Sequence, residues 1–231
     1  MLKLEAVNAG YGRAQVLRDV SFEAQAGEIT CLLGRNGAGK TTTMKAIMGV
    51  LPLMSGAVRL EKTVLSDLPA HVVPRHGVGY VPQGRRLFGD LTVGQNLEVG
   101  RFSQRESEST LEEILQLFPR LRERYAQRAN TLSGGEQQML AMGRALSLRP
   151  SVVLLDEPTE GLQPSMIVAI RDVTETLRDQ GVAVVLVEQR VEAILALADR
   201  AALLENGRMR GVVSGEALRD DPTILARHLG V

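Results

Sequence analysis

Eight residues, Gly34-Arg35-Asn36-Gly37-Ala38-Gly39-Lys40-Thr41, follow the pattern G-x-x-x-x-G-K-[ST], and Thr42 comes next. Glycines at these spacings let the backbone curl until its N–H groups converge on phosphate oxygens. A helix starting near Gly39 aims its partial positive charge at the same anion. Lys40 is expected to reach the β- and γ-phosphates of a nucleoside triphosphate, and Thr41 to ligate Mg²⁺. The plainer alternative is an ordinary glycine-rich turn. It would not need the strand-like Ile29 to Leu33 before the pattern or the helix-like Thr43 to Val50 after it.

Two further constellations share this chemistry. The aliphatic run Val152-Val153-Leu154-Leu155 ends in Asp156-Glu157, and open α/β sheets place their ligands at the carboxyl ends of such strands. Asp156 is placed to hold Mg²⁺, and Glu157 to polarise the water that attacks the γ-phosphorus. An acidic pair serving only as a helix cap is the competing reading. The other constellation, Leu132-Ser133-Gly134-Gly135-Glu136-Gln137, opens a helical segment over Gln138 to Leu148. Ser133 and Glu136 have capping-box spacing, which accounts for the serine and the glutamate but leaves the glycine pair unused. Adjacent glycines at a helix start let an anion approach bare N–H groups, yet one nucleotide does not easily need two such cradles. A second protomer is an alternative source of the second cradle.

The elements that must position these groups can be read from turn signals and periodicity. Leu2 to Val7, Gln15 to Leu17 and Val20 to Ala24 read as antiparallel strands leading into the phosphate loop. Ser55-Gly56 is expected to turn the chain into a strand over Ala57 to Leu60, and residues 69 to 88 are punctuated by Pro and Gly. From about 89 to 150 the pattern is helical, with Leu111, Ile114, Leu115 and Phe118 on one face. Glu106, Glu108, Glu112, Glu113, Arg120, Arg122, Glu123 and Arg124 form a solvated opposite face. Val152 to Leu155 and Val182 to Val187, apolar on both faces, read as central strands of a parallel sheet, with a helix over Met166 to Arg178 between them. Asn206-Gly207 signals a hairpin, and a helical tail over about 215 to 229 follows.

Composition sets the outer bounds. The 231 residues, 44% of them apolar, suffice for one large α/β domain with an inserted subdomain. Lys+Arg and Asp+Glu balance at 27 each, so the basic footprint of a nucleic-acid binder is absent and no nucleic-acid partner is expected. Cys31 is the one cysteine, which excludes an internal disulfide and fits a small buried residue in a reducing compartment. No apolar run approaches the about eighteen residues that cross a bilayer, and Met1 to Glu5 lacks the core of a signal peptide. A cytoplasmic chain is therefore expected, with any membrane role exercised through a partner.

The phosphate loop, Leu132 to Gln137 and the strand ending in Asp156-Glu157, in this order and spacing, resemble the ATP-binding subunits of ABC transporters over essentially the whole chain. The resemblance implies a P-loop NTPase fold of the α/β class: a mixed-sheet core from 1–88 and 150–231, an N-terminal antiparallel β subdomain, and a helical subdomain inserted at 89–149. It also implies a head-to-tail dimer, with itself or with a sister ATPase subunit, binding ATP and Mg²⁺ at the interface and driven against membrane permease subunits. Ser133 and Gly135 of one protomer then close on the γ-phosphate held by Lys40 of the other, with Gly134 and Glu136 in the same nucleotide-binding set. By the same resemblance, Tyr11 matches the aromatic that stacks on adenine. Gln83, in Tyr80-Val81-Pro82-Gln83, matches the glutamine that senses Mg²⁺ and contacts the permease-facing region.

Two positions depart from the common family pattern. Val187-Glu188-Gln189 stands where the family usually has a γ-phosphate-contacting histidine, and Glu160-Gly161-Leu162-Gln163 stands where most members have Ser-Ala-Leu-Asp. The Gln189 amide donates a hydrogen bond but neither carries charge nor shuttles a proton, so a histidine-dependent mechanism is excluded. These departures resemble the second ATPase subunit of branched-chain amino-acid importers and the similar urea and short-amide importers. Thr30 to Asn36, Thr159 to Ser165 and the ending Arg227 to Val231 look slightly more like the urea branch. The implied activity is ATP hydrolysis powering solute uptake. The alternatives are a lipid or lipopolysaccharide exporter ATPase, whose members generally keep the histidine, and a soluble ABC ATPase of translation or DNA repair, which typically carries tandem halves or a coiled-coil insertion.

Overall fold

The structure, a computed structural model, describes residues 1–101 and 108–229. Its strands are β1 (Leu2–Tyr11), β2 (Ala14–Ala24), β3 (Ile29–Leu33), β4 (Leu53–Leu60), β5 (Thr63–Val64), β6 (Val78–Val81), β7 (Val152–Asp156), β8 (Ala183–Val187), β9 (Arg200–Glu205) and β10 (Arg208–Ser214). Its α-helices are α1 (Lys40–Ile47), α2 (Val93–Arg101), α3 (Glu108–Leu117), α4 (Pro119–Glu123), α5 (Gly134–Leu146), α6 (Pro164–Asp179), α7 (Val191–Leu197), α8 (Gly215–Asp220) and α9 (Thr223–Leu229).

Two sheets organise the chain. One is antiparallel, in the order β2-β1-β4-β5; the other is mixed, in the order β10-β9-β3-β8-β7-β6, with β10 joined antiparallel to β9 and the remaining pairs parallel. The central strands are apolar on both faces because both are covered, and side chains still alternate with the pleat. Ile29, Cys31, Leu33, Val153, Leu155, Val184 and Leu186 point into a core shared with the helices. Leu32, Val152, Leu154, Val185 and Val187 point into a second core shared with α1 and the antiparallel sheet. Ile114, Phe118 and Leu121 of the helical segment belong to the first core, so this segment is packed continuously onto the sheet rather than around a core of its own.

The register explains why the chemistry collects at one edge. β3, β6, β7 and β8 run the same way, with Val81 opposite Leu155 and Asp156 opposite Val187. The residues that follow each strand therefore emerge side by side: Gly34 after β3, Gln83 after β6, Glu157 after β7 and Gln189 after β8.

Several local expectations change. Ser55-Gly56 does not turn the chain; both lie inside β4, where Ser55 pairs with Asn8 of β1 beside a register shift, so cross-strand pairing overrides the local turn signal. The tail is two helices rather than one, because Pro222 lies between Asp220 and Thr223 and lacks the N–H that continuation needs. Phe118 is buried but belongs to the N-terminal boundary of α4, outside α3. Glu112, Glu113, Arg120, Arg122, Glu123 and Arg124 of the charged face are exposed, with Arg122 on Glu112 and Arg149 on Glu113, both at 2.6 Å. Such exposed pairs contribute little to stability. Glu106, Gly230 and Val231 lie outside the described residues. Among the described residues, no helix is long and apolar enough to cross a membrane.

Candidate functional site

The loop between β3 and α1 is shaped to receive an anion. Gly39 sits at φ 110°, a conformation that L side chains rarely adopt, and begins α1 with no side-chain cap. The first-turn N–H groups of a helix have no intrahelical acceptor, so those of α1 are left for a ligand. Lys40 is 6% exposed, and its Nζ donates to the carbonyls of Gly34 at 2.7 Å and Arg35 at 3.2 Å. Burial lowers the pKa of this ammonium, while the charges of Glu157 and Asp156 oppose the change. The result is a cation folded back onto its own loop, with donor capacity directed at the cleft.

That cleft has a volume of 630 Å³. It is lined by Asn36, Gly37, Gly39, Lys40, Thr41 and Thr42 of the phosphate loop and the start of α1, by Gln83, Glu157, Glu160 and Gln189 from beyond the ends of β6, β7 and β8, and by Val16 of β2. Of the expected site residues, Asn36, Gly37, Gly39 to Thr42, Gln83, Glu157 and Gln189 are thus brought together.

Asp156 ends β7 beside Thr41, 1% exposed, and does not itself line the cleft. Its Oδ2 accepts from the Tyr80 hydroxyl at 3.4 Å, while Oδ1 is buried with no hydrogen-bond partner among the described residues. Burial raises the pKa of this carboxyl; the Thr41 hydroxyl beside it acts in the opposite direction. An orphaned buried carboxylate oxygen next to a hydroxyl is a hard-oxygen donor set of the kind Mg²⁺ takes, so the residues fit that ion.

Glu157 adopts φ 51°, a left-handed conformation that is uncommon for a non-glycine residue. Its carboxylate is held from two sides: Gln83 Nε2 donates to Oε2 at 3.1 Å, and Gln189 Nε2 donates to Oε1 at 2.5 Å. The same Gln83 nitrogen donates to Glu160 Oε2 at 3.0 Å. A carboxylate with both oxygens engaged has a fixed direction, as a group orienting a water requires.

Other expected residues lie elsewhere. Tyr11 ends β1, 48% exposed, with Lys45 of α1 lying 5.5 Å from its ring centroid; it does not line the cleft. Arg35 and Ala38 open onto a smaller cavity with Asn206, Arg227 and His228, behind the loop. Gly34, the loop's first residue, lends Lys40 its carbonyl. Ser133 caps α5 in a full capping box: its N–H donates to Glu136 Oε2 at 2.9 Å, and its Oγ accepts from the Glu136 N–H. A β-carbon at Gly135 would collide with the Met166 side chain, so this glycine lets α5 approach α6 closely. Gly134 lies under the Arg85 guanidinium, which also donates to Gln137 Oε1 at 3.2 Å. None of Ser133, Gly134, Gly135 and Glu136 lines the cleft of its own chain.

Val16 and Glu160 line the cleft without having been singled out as site residues. Glu160 had a signal, since it begins the segment that departs from the family pattern. Val16 had none, because it lies on β2, far in sequence from the phosphate loop whose cleft it lines.

The ABC transporter family model matches residues 17–160. The chain is 47% identical over 232 residues to the high-affinity branched-chain amino acid transport ATP-binding protein BraG of Pseudomonas aeruginosa, covering 100% of both. It is 39% identical over 212 residues to a probable branched-chain amino acid transport ATP-binding protein LivF of Archaeoglobus fulgidus, covering 90% of both. Its identity to the lipopolysaccharide export system ATP-binding protein LptB of Escherichia coli K12 is 35% over 206 residues, covering 86% of this chain and 84% of that protein. In three dimensions it matches the ATP-binding subunit of an ABC transporter with a TM-score of 0.86 at 27% identity, covering 99% of this chain and 95% of that one. It matches a dimeric post-hydrolysis ATP-binding cassette bound to ADP and Pi with a TM-score of 0.81 at 26% identity, covering 93% and 98%. The phosphate-loop cleft, the acidic strand end and these likenesses lead to one conclusion: the chain belongs to the ABC transporter family.

Proposed function

We propose that this chain is the ATP-hydrolysing subunit of an importer of branched-chain amino acids, acting at the cytoplasmic face of a membrane through permease subunits. The observation that carries the reading is the likeness to BraG, end to end at 47% identity. Export of lipopolysaccharide is the weaker reading, since likeness to LptB is lower and shorter. Gln189 also stands where exporters generally keep a histidine.

In this reading the uncapped start of α1, with Gly34 to Thr42, binds the phosphates, and Lys40 turns from its loop carbonyls to them. Thr41, Gln83 and Asp156 hold Mg²⁺, which supplies charge neutralisation on the phosphates. Glu157 orients and deprotonates the attacking water, and Gln189 and Gln83 fix its direction. Tyr11 provides an exposed ring for adenine.

Ser133, Gly134, Gly135 and Glu136 complete the site of a second ATPase subunit, sister chain or identical copy, with Ser133 and Gly135 closing on the γ-phosphate. Their absence from the lining of their own chain's cleft is compatible with this arrangement. Residues 89–149 act as the inserted helical subdomain against the nucleotide-binding core of 1–88 and 150–231.

The test is reconstitution with candidate permease and solute-binding proteins from the same genome. ATP-dependent leucine uptake, with no urea uptake, is expected. Urea uptake without leucine uptake, or co-purification with lipopolysaccharide-handling proteins instead of permeases, would contradict the proposal.

A further inference from the structure

Glu188 is 3% exposed and forms no ion pair among the described residues, yet its carboxylate is fully engaged. Oε1 accepts the backbone N–H groups of Gln189 at 2.8 Å and Arg190 at 3.0 Å, at the start of α7, whose boundary residue Arg190 provides no side-chain cap. Oε2 accepts the hydroxyl of Thr159 at 2.5 Å. Thr159 is itself 5% exposed and stands two residues after Glu157. Burying a carboxylate costs several kcal/mol unless donors replace its water. Three donors do so here, and they come from the two loops that carry Glu157 and Gln189.

We infer that Glu188 is a positioning residue for hydrolysis: it clamps the loop after β7 to the loop after β8 and so fixes the Gln189 amide on the Glu157 carboxylate. The geometry is a closed circuit. Glu157 N–H donates to the Val187 carbonyl at 2.9 Å, Thr159 donates to Glu188, Glu188 accepts from the Gln189 backbone, and the Gln189 side chain returns to Glu157. Opening it at Thr159 leaves the Gln189 amide on Glu157 as the one side-chain link in the circuit between the two loops, without the buried bond that holds them in register. The phosphate loop is outside the circuit. The clamp therefore acts on turnover and not on nucleotide affinity.

This inference rests on the role proposed for Glu157, and the experiment separates the two. Steady-state hydrolysis gives kcat and KM for Thr159→Val, Thr159→Ser, Glu188→Ala and Glu188→Gln, with thermal unfolding as the check on folding. Thr159→Val, which keeps shape and loses the hydroxyl, is expected to lower kcat about tenfold with KM within about twofold, since loose positioning of a reacting group costs on that order. Thr159→Ser restores turnover. Glu188→Gln keeps an acceptor for the two N–H groups and a polar partner for Thr159, and retains most of it.

A structural role alone would not produce the decisive readout: in a Gln189→Ala background, Thr159→Val should cost little more, because the group it positions is gone. Unchanged kcat in Thr159→Val would overturn the clamp, as would losses that multiply with that of Gln189→Ala. If Glu188→Ala does not fold, the Thr159 variants decide. Should Glu157→Gln retain wild-type turnover, the underlying reading fails instead.

Discussion

The Gln189 side-chain amide and the Glu157 carboxylate meet at 2.5 Å, with Gln83 gripping the other carboxylate oxygen at 3.1 Å. A neutral amide in this place directs the carboxylate without competing for its proton. Gln189→Ala is expected to lower hydrolysis about tenfold to a hundredfold while leaving nucleotide affinity nearly unchanged. Gln189→His should introduce an inflection near pH ~6.5 into the rate profile, where imidazole titrates. The wild-type profile should lack that inflection, because His71, His76 and His228 do not line the cleft. Steady-state rates across this pH range check both expectations.

The capping box of α5 carries its own pH signature. Glu136 loses solvation, which raises its pKa, but hydrogen bonds from the backbone and hydroxyl of Ser133 and the charges of Arg124 and Arg120 outweigh this, leaving it below the usual carboxylate value. A depressed folded-state pKa means stability that is present above the unfolded value and lost as pH falls through the folded one. Glu136→Ala should cost about 1 kcal/mol at neutral pH. The gap from wild type, followed by thermal unfolding, should narrow as pH falls below ~4. A gap independent of pH would contradict the assignment.

Cys31 lies within β3, fully buried, and burial together with the nearby charges of Glu188 and Asp199 pushes its thiol pKa far above the ordinary range. Neither exposure nor thiolate character is available to a reagent. Labelling of the native protein at pH ~8 should be at least about a hundredfold slower than that of a free thiol, becoming fast only on unfolding. Rapid stoichiometric labelling of the folded chain would contradict this placement.

The parallel core was legible because its signal is local: Val152 to Leu155 and Val182 to Val187 are apolar on both faces, and only a sheet covered on both sides buries such runs. The acidic pair followed, being the next two residues along a strand already recognised. Ser55-Gly56 misled because a turn signal weighs only neighbours in sequence, whereas pairing with Asn8 decides the conformation. The contacts that hold the Glu157 and Gln189 loops together were hidden for the same reason. Gln83 reaches Glu160 across 77 positions, and Thr159 reaches Glu188 across 29; no spacing rule connects them before β6, β7 and β8 lie side by side. Tyr11 and Gln83 drew their expected roles only from the family resemblance.

The most direct test concerns Glu157 itself. Glu157→Gln keeps the shape of the side chain and its place between Gln83 and Gln189 while removing the base, so ATP should still bind. With ATP and Mg²⁺, hydrolysis should fall at least about a hundredfold. Turnover at the wild-type rate in this variant would contradict the account.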